Sequence, residues 1–269
     1  MGGGEFPLPG MGLSAITAWL AQYIFAMLRI GAFLLASPAF GGRFVPLQVR
    51  IVAAAILALP VMAGGVALPS PEELAGISAL PMVLNELALG LTGGLVLTIL
   101  FGAASLAGDR IAATAGLGFA AQYDPSAGGQ TPVVAQLFGL VLIMVFLGTD
   151  GHLAAIRIVL ESYQTYPPGV AVDLPALIAA GIEAGGRMFA LGAAIMLPVV
   201  AVLLLLNMAV GVLTRSAPSL NLFSFGFPAT MVVTLVMLYI TAPGLVTGLE
   251  GVVDEAVARL AAALGGGNG

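Results

Sequence analysis

Residues 188–214 read MFALGAAIMLPVVAVLLLLNMAVGVLT, a stretch that Arg187 and Arg215 bracket and that no charged side chain enters. Roughly 20 apolar residues suffice for an α-helix to cross about 30 Å of hydrocarbon. This segment alone therefore selects for a membrane or for deep burial in protein. Five further charge-free runs, 6–28, 51–71, 87–108, 125–149 and 216–249, approach or exceed the same length. Backbone amides in lipid must be satisfied within the spanning structure, which favours helices. Six helix-bearing runs are expected, with breaks inside the longer ones. The last is long enough for a helix plus an irregular entry.

The composition agrees with that reading. Of 269 residues, 8% are charged and 60% are apolar, with a mean hydropathy of +1.11. A soluble domain is about 25% charged. A conventional water-soluble globule and a disordered chain are excluded, and so is a nucleic-acid binder, which needs a basic stripe. All eight basic residues are arginine, and the net charge of −5 is scattered along the chain. With no cysteine, disulfides, thiolate metal sites and cysteine nucleophiles are ruled out.

Charge placement carries a topology signal. The first connection holds Arg29, Arg43 and Arg50, and the second holds Glu72, Glu73 and Glu86. The positive-inside rule places the first connection in the cytoplasm and the N-terminus outside. The N-terminal segment lacks a basic n-region and does not read as a cleaved signal peptide. Residues 1–10, rich in Gly and Pro, and residues 265–269 are expected to be flexible tails on a single integral membrane domain covering 1–269, and Met11 offers an alternative start. Leu249–Leu264, with Glu250, Asp254, Glu255 and Arg259, reads as a short amphipathic helix.

Thirty-seven glycines and seventeen prolines are unusual for simple lipid-spanning rods. Pro38, Pro46, Pro60, Pro81, Pro132, Pro198, Pro228 and Pro243 lie inside or beside apolar runs, and an interior proline frees a carbonyl that neighbouring protein must satisfy. Gly90 and Gly94, one helical turn apart, permit close backbone approach. Together these features point to helices buried against protein.

The chemistry-bearing residues are few. His152, in Gly148-Thr149-Asp150-Gly151-His152, is the sole histidine, so it has no second nitrogen or sulfur ligand with which to hold zinc. Asp150 is its natural triad partner but stands too close in sequence for the usual geometry. A helix cap at Asp150, with His152 hydrogen-bonded in the first turn, is the expected role. Without lysine no phosphate-binding Gly-Lys-Ser/Thr loop exists. No catalytic, cofactor-binding or metal residue is assigned. A coupled carrier would place ionisable groups at mid-membrane. The centres of the six runs hold none, and Asn207, their most interior polar group, is expected to make an interhelical hydrogen bond.

Two irregular stretches remain. Gly116-Leu117-Gly118-Phe119-Ala120-Ala121-Gln122-Tyr123-Asp124-Pro125 has flexible glycines and ends in a turn signal. It is apolar enough to fill a narrow conduit with Leu117 and Phe119, and equally compatible with a turn between hairpin helices. In Arg215-Ser216-Ala217-Pro218-Ser219-Leu220-Asn221-Leu222-Phe223, Arg215 complements the end of an apolar helix. Pro218 then prevents simple continuation, and Asn221 offers an amide to freed backbone groups.

At these residues the chain resembles the FliR/SctT family of type III export-gate proteins. Four blocks carry the resemblance in order. The first is Ser37-Pro38-Ala39-Phe40-Gly41 with Val45-Pro46 and Arg50. The second is the Gly116–Pro125 loop ending Asp124-Pro125, the third Asp150-Gly151-His152, and the fourth Arg215 to Phe223. The likeness covers about residues 12–250, and Ser219 departs from a usual Gln. Gly226-Phe227-Pro228-Ala229 favours the flagellar branch, because injectisome relatives tend to carry a lysine after that proline.

The resemblance implies an all-α, non-enzymatic subunit of polytopic helical hairpins, Pro/Gly-broken, interlocked with other subunits in the inner membrane at the flagellar basal body. Its implied partners are FliP- and FliQ-like subunits, FlhB- and FlhA-like export proteins, unfolded flagellar export substrates and membrane lipid, with no nucleic acid and no cofactor. The loop matching Gly116, Leu117, Gly118, Phe119 and Gln122 corresponds to a plug of the export pore. A small-molecule permease working alone is the alternative.

Overall fold

A computed structural model describes residues 13–42, 45–117, 133–216 and 226–265. Among these residues every regular element is a helix. In order they are α1 (Leu13–Ala36), α2 (Leu47–Ala63), α3 (Pro71–Ala75), α4 (Ala79–Thr114), α5 (Val133–Gly148), α6 (Gly151–Thr165), α7 (Leu174–Ser216) and α8 (Phe227–Leu264). The chain is an all-α polytopic protein. Four helices, α1, α4, α7 and α8, are long and apolar enough to cross a membrane, and α5 with α6 makes a fifth if the bent pair counts as one span.

The expected runs all carry helices, but their limits differ. Charges delimit the runs, yet most of them lie inside helices, and among the described residues two are buried there. Arg29 is within α1 and Glu86 within α4, both buried. The second run yields only the 17-residue α2, too short to span. Leu249–Leu264 is not a separate amphipathic helix but the continuation of α8. Pro60, Pro198 and Pro243 sit inside continuous helices and do not end them.

Contacts group the chain into two compact units. One takes the described residues up to Thr98, with His152–Glu183 and those from Val257 onward. Its core includes Phe25, Ile30, Phe33, Leu34, Leu89 and Leu97. Here α1 lies tightly on α4. A Cβ at Gly90 would fall 2.2 Å from the Arg29 carbonyl oxygen, and one at Gly94 2.6 Å from Ala36 Cβ. Only glycine lets the two backbones touch, as the spacing predicts.

Across that contact Arg29 Nε and Nη2 each donate to a Glu86 carboxylate oxygen at 2.8 Å, a bidentate pair. Nη1 donates to Ser162 Oγ at 3.0 Å and Nη2 also to the Tyr166 carbonyl at 2.8 Å. The guanidinium lies 4.0 Å from the centre of the Tyr163 ring, whose hydroxyl donates to the Ala26 carbonyl at 2.7 Å. Burying a charge is costly unless it is paired and hydrogen-bonded; here the pair is bidentate and the guanidinium makes two further hydrogen bonds. Arg29 and Glu86 are therefore not the loop charges that the topology reading counted.

The other unit takes Ile99–Gly151 and Ala184–Ala256. Leu100, Ala104, Ala107, Ile111, Leu142 and Leu203 are fully buried within it, and Phe101 meets Phe146 edge-on at 5.1 Å. Gly108 faces the backbone of Ala135 so closely that a Cβ would stand 2.5 Å from Ala135 Cα. Arg187 Nε donates to Glu255 Oε1 at 2.7 Å, joining α7 to α8.

Candidate functional site

The chain leaves α4 at Gly116 and Leu117 in the second unit, and the geometry of that exit follows from the sequence. A helix end exposes four carbonyls without intrahelical partners. At the end of α4, Leu117 N–H donates to the Ala112 carbonyl at 3.0 Å and Gly116 N–H to that of Ala113 at 3.1 Å. This is the paired pattern of a Schellman motif, which needs a left-handed residue after the cap. Gly116 fills that place with φ +81. Any side chain there would also meet the Phe227 ring, 2.9 Å from an added Cβ.

Two side chains take the remaining carbonyls. Asn207 Nδ2, from α7, donates to the Thr114 carbonyl at 3.1 Å. Thr230, 6% exposed near the start of α8, points its Oγ1 at the Ala115 carbonyl, 3.2 Å away, and at its own helix's Phe227 carbonyl at 3.0 Å. Arg110, Gly116, Leu204, Asn207, Gly226 and Thr230 line one cavity at this junction.

The second motif block thus meets the Gly226-Phe227-Pro228-Ala229 stretch here. Gly116 and Leu117 lie at the end of α4, and Gly226 and Pro228 at the start of α8, where proline is tolerated in the first turn. Arg215 stands in the last turn of α7, as its dipole role requires. Gly118, Phe119, Gln122, Asp124, Pro125, Pro218 and Asn221 lie outside the described residues.

The first block forms a separate staple in the other unit. Arg50 Nη2 donates to the carbonyls of Gly41 at 3.1 Å, Gly42 at 2.7 Å and Val45 at 2.9 Å. Gly41 is obligatory, since a Cβ would stand 2.4 Å from the Leu35 carbonyl oxygen. Pro38 lies in the turn after α1, and Pro46, at φ −59 and ψ 147, directly precedes α2. In the third block Asp150, exposed, adopts φ +58 between α5 and α6. Gly151 packs where a Cβ would meet the Phe146 ring at 2.6 Å, and His152 is half-buried in the first turn of α6.

The sequence reading identified Asn207 as an interhelical donor and missed Thr230. A threonine in an apolar helix ordinarily returns its hydroxyl to its own backbone. Thr234 and Thr241 do so at 2.6 Å each, and nothing local distinguishes Thr230 from them.

The model of the family described as bacterial export proteins, family 1, matches residues 20–256. The chain is 31% identical over 226 residues to the flagellar biosynthetic protein FliR of Pectobacterium carotovorum subsp. carotovorum, covering 84% of this chain and 85% of that one. It is 29% identical to FliR of Escherichia coli (strain K12) over 84% of this chain and 86% of that protein. Against FliR of Bacillus subtilis (strain 168) the identity is 27%, over 85% and 88% respectively.

Proposed function

On the premise that the chain belongs to bacterial export proteins, family 1, together with the flagellar biosynthetic proteins FliR, we propose that it helps form, and at rest seals, the pore through which unfolded flagellar substrates leave the cell. It is a structural component of the flagellar export apparatus in the bacterial inner membrane, at the flagellar basal body. FliP- and FliQ-like subunits complete the pore wall, and FlhB- and FlhA-like export proteins adjoin it.

Sealing is a matter of geometry and wetting. A constriction lined by apolar side chains excludes ions because water does not fill it. The observation that carries this reading is the exit from α4. A rigid, fully capped helix end turns at Gly116 and presents Leu117, 36% exposed, as the first side chain of the apolar segment. Leu117 and Phe119 form the seal, and the glycines at 116 and 118 relieve its backbone constraints. A growing substrate displaces the segment without breaking any covalent bond.

The test is deletion of residues 116–122 in the assembled gate. Ion leakage should rise with assembly intact, and unchanged leakage sinks the assignment. The permease alternative is disfavoured by the Arg29–Glu86 pair. A coupled carrier needs a charge that exchanges with a solvent pathway, whereas these two side chains are 0% and 2% exposed and bonded to each other. Recovery of the chain in a stable complex with FliP- and FliQ-like proteins separates the two readings, because a lone carrier would bind its solute as a monomer or homo-oligomer.

A further inference from the structure

We propose that Asn207 and Thr230 are positioning residues of the seal, fixing from two other helices the direction in which the chain leaves α4; this rests on the reading of residues 116–122 as the seal. The four terminal carbonyls of α4 divide into two pairs. Those of Ala112 and Ala113 are satisfied by the turn itself, through Leu117 and Gly116. Those of Thr114 and Ala115 receive Asn207 from α7 and Thr230 from α8.

The first pair sets the local conformation of the exit, and the second sets where it points. Ala115 is 1% exposed and Thr230 6%, so water cannot readily replace the hydroxyl, and a buried carbonyl deprived of its donor carries its full desolvation cost. Asn207 is a donor within the apolar run 188–214. A polar amide placed there is unfavourable unless it finds a partner on another helix. The Thr230 hydroxyl has one proton and two carbonyls in reach, Ala115 at 3.2 Å and Phe227 at 3.0 Å. It can release the α4 end while staying satisfied on its own helix. This makes the α8 contact the easier of the two to break, and the amide contact from α7 the more persistent.

The experiment is made on the complete gate, with ion leakage measured per assembled complex. Thr230→Val and Asn207→Leu remove the donors at nearly constant volume. Leakage should rise in both, roughly tenfold for Thr230→Val, the order of an orphaned buried carbonyl, with complex yield unchanged. Thr230→Ser, which keeps the hydroxyl, should behave as the parent does. In a gate already lacking residues 116–122 neither substitution should add leakage, because no seal remains to be positioned.

Parental leakage in both variants, beside a leaky deletion, overturns the positioning role and leaves the seal assignment standing. Added leakage in the deletion background also overturns it, since the two residues would then act elsewhere. Loss of assembly in both variants but not in Thr230→Ser assigns them to the fold and rejects the proposal. A deletion that does not leak rejects the seal reading itself.

Discussion

Arg29 shows how much a single side chain can organise when its charge is fully answered. It draws together α1, α4 and α6 through the Glu86 carboxylate, the Ser162 hydroxyl, the Tyr166 carbonyl and the Tyr163 ring. Removing one member of a buried pair leaves the other charge uncompensated, at a cost of about 3–5 kcal/mol, whereas replacing both by apolar groups is far milder. Glu86→Leu and Arg29→Met should each lower the thermal stability of the extracted complex sharply, and the double variant should regain much of the loss. Additive losses in the double variant would show that the pair is not coupled.

Ser70 and Glu73 form a reciprocal capping box at the start of α3. Ser70 N–H donates to the Glu73 carboxylate at 2.7 Å, and Glu73 N–H to the Ser70 hydroxyl at 3.3 Å. The Ser70 backbone bond, followed by its side-chain bond, holds the Glu73 carboxyl below its ordinary range. A depressed pKa means that the cap stabilises the folded state above that ordinary range and fades as the pH falls through the lowered value. Protection of the Ser70 amide against hydrogen exchange, corrected for intrinsic rates, should decline on acidification, and Glu73→Gln should flatten that dependence.

At the scale of elements, the contact of α1 with α4 depends on Gly90 and Gly94. The atoms that an added Cβ would strike include backbone carbonyl oxygens, of Arg29 at 2.2 Å and Phe33 at 2.8 Å. Backbone cannot rotate aside as a side-chain tip can, so Gly90→Ala must push the helices apart at about 1–3 kcal/mol. The same displacement stretches the Arg29–Glu86 pair. Gly90→Ala and Glu86→Leu should therefore be non-additive in thermal stability, whereas Gly31→Ala on α1, whose Cβ position is open, should be close to neutral.

This element also marks where the sequence was legible. The Gly90/Gly94 spacing and the uncharged runs announce close-packed helices directly, because small residues and missing charges have one physical meaning in an apolar chain. The Gly116 turn and the Arg215 terminus were readable for the same reason. Helix limits were not, because a charge marks a boundary only when it needs water, and Arg29 and Glu86 neutralise each other across 57 positions of sequence. Pro198 and Pro243 misled in the opposite direction, since a freed carbonyl can be accommodated within a continuous helix. Thr230 was hidden because its value lies in a carbonyl 115 residues away.

For the molecule as a whole, the decisive quantity is apolar surface that a bilayer cannot cover. The 43 residues of α7 extend about 65 Å at 1.5 Å per residue, against about 30 Å of hydrocarbon. Glu183 and Arg187 stand between the uncharged run 188–214 and the start of the helix, and charges of this kind belong outside the hydrocarbon core. Yet beyond them Ile178 is 63% exposed and Ile182 73% exposed. If lipid ends near Arg187, only other protein can shield those two side chains. The absence of native cysteine makes the test direct. In opened membranes containing this chain alone, Ile178→Cys and Ile182→Cys should react with a membrane-impermeant maleimide, while Leu205→Cys, inside the uncharged run, should not. Co-assembly with FliP- and FliQ-like subunits should protect both isoleucine positions. Continued labelling of Ile182→Cys in the complete assembly would show that this end of α7 faces water rather than a neighbouring subunit, and the case for a chain clasped by partners beyond the bilayer would fail there.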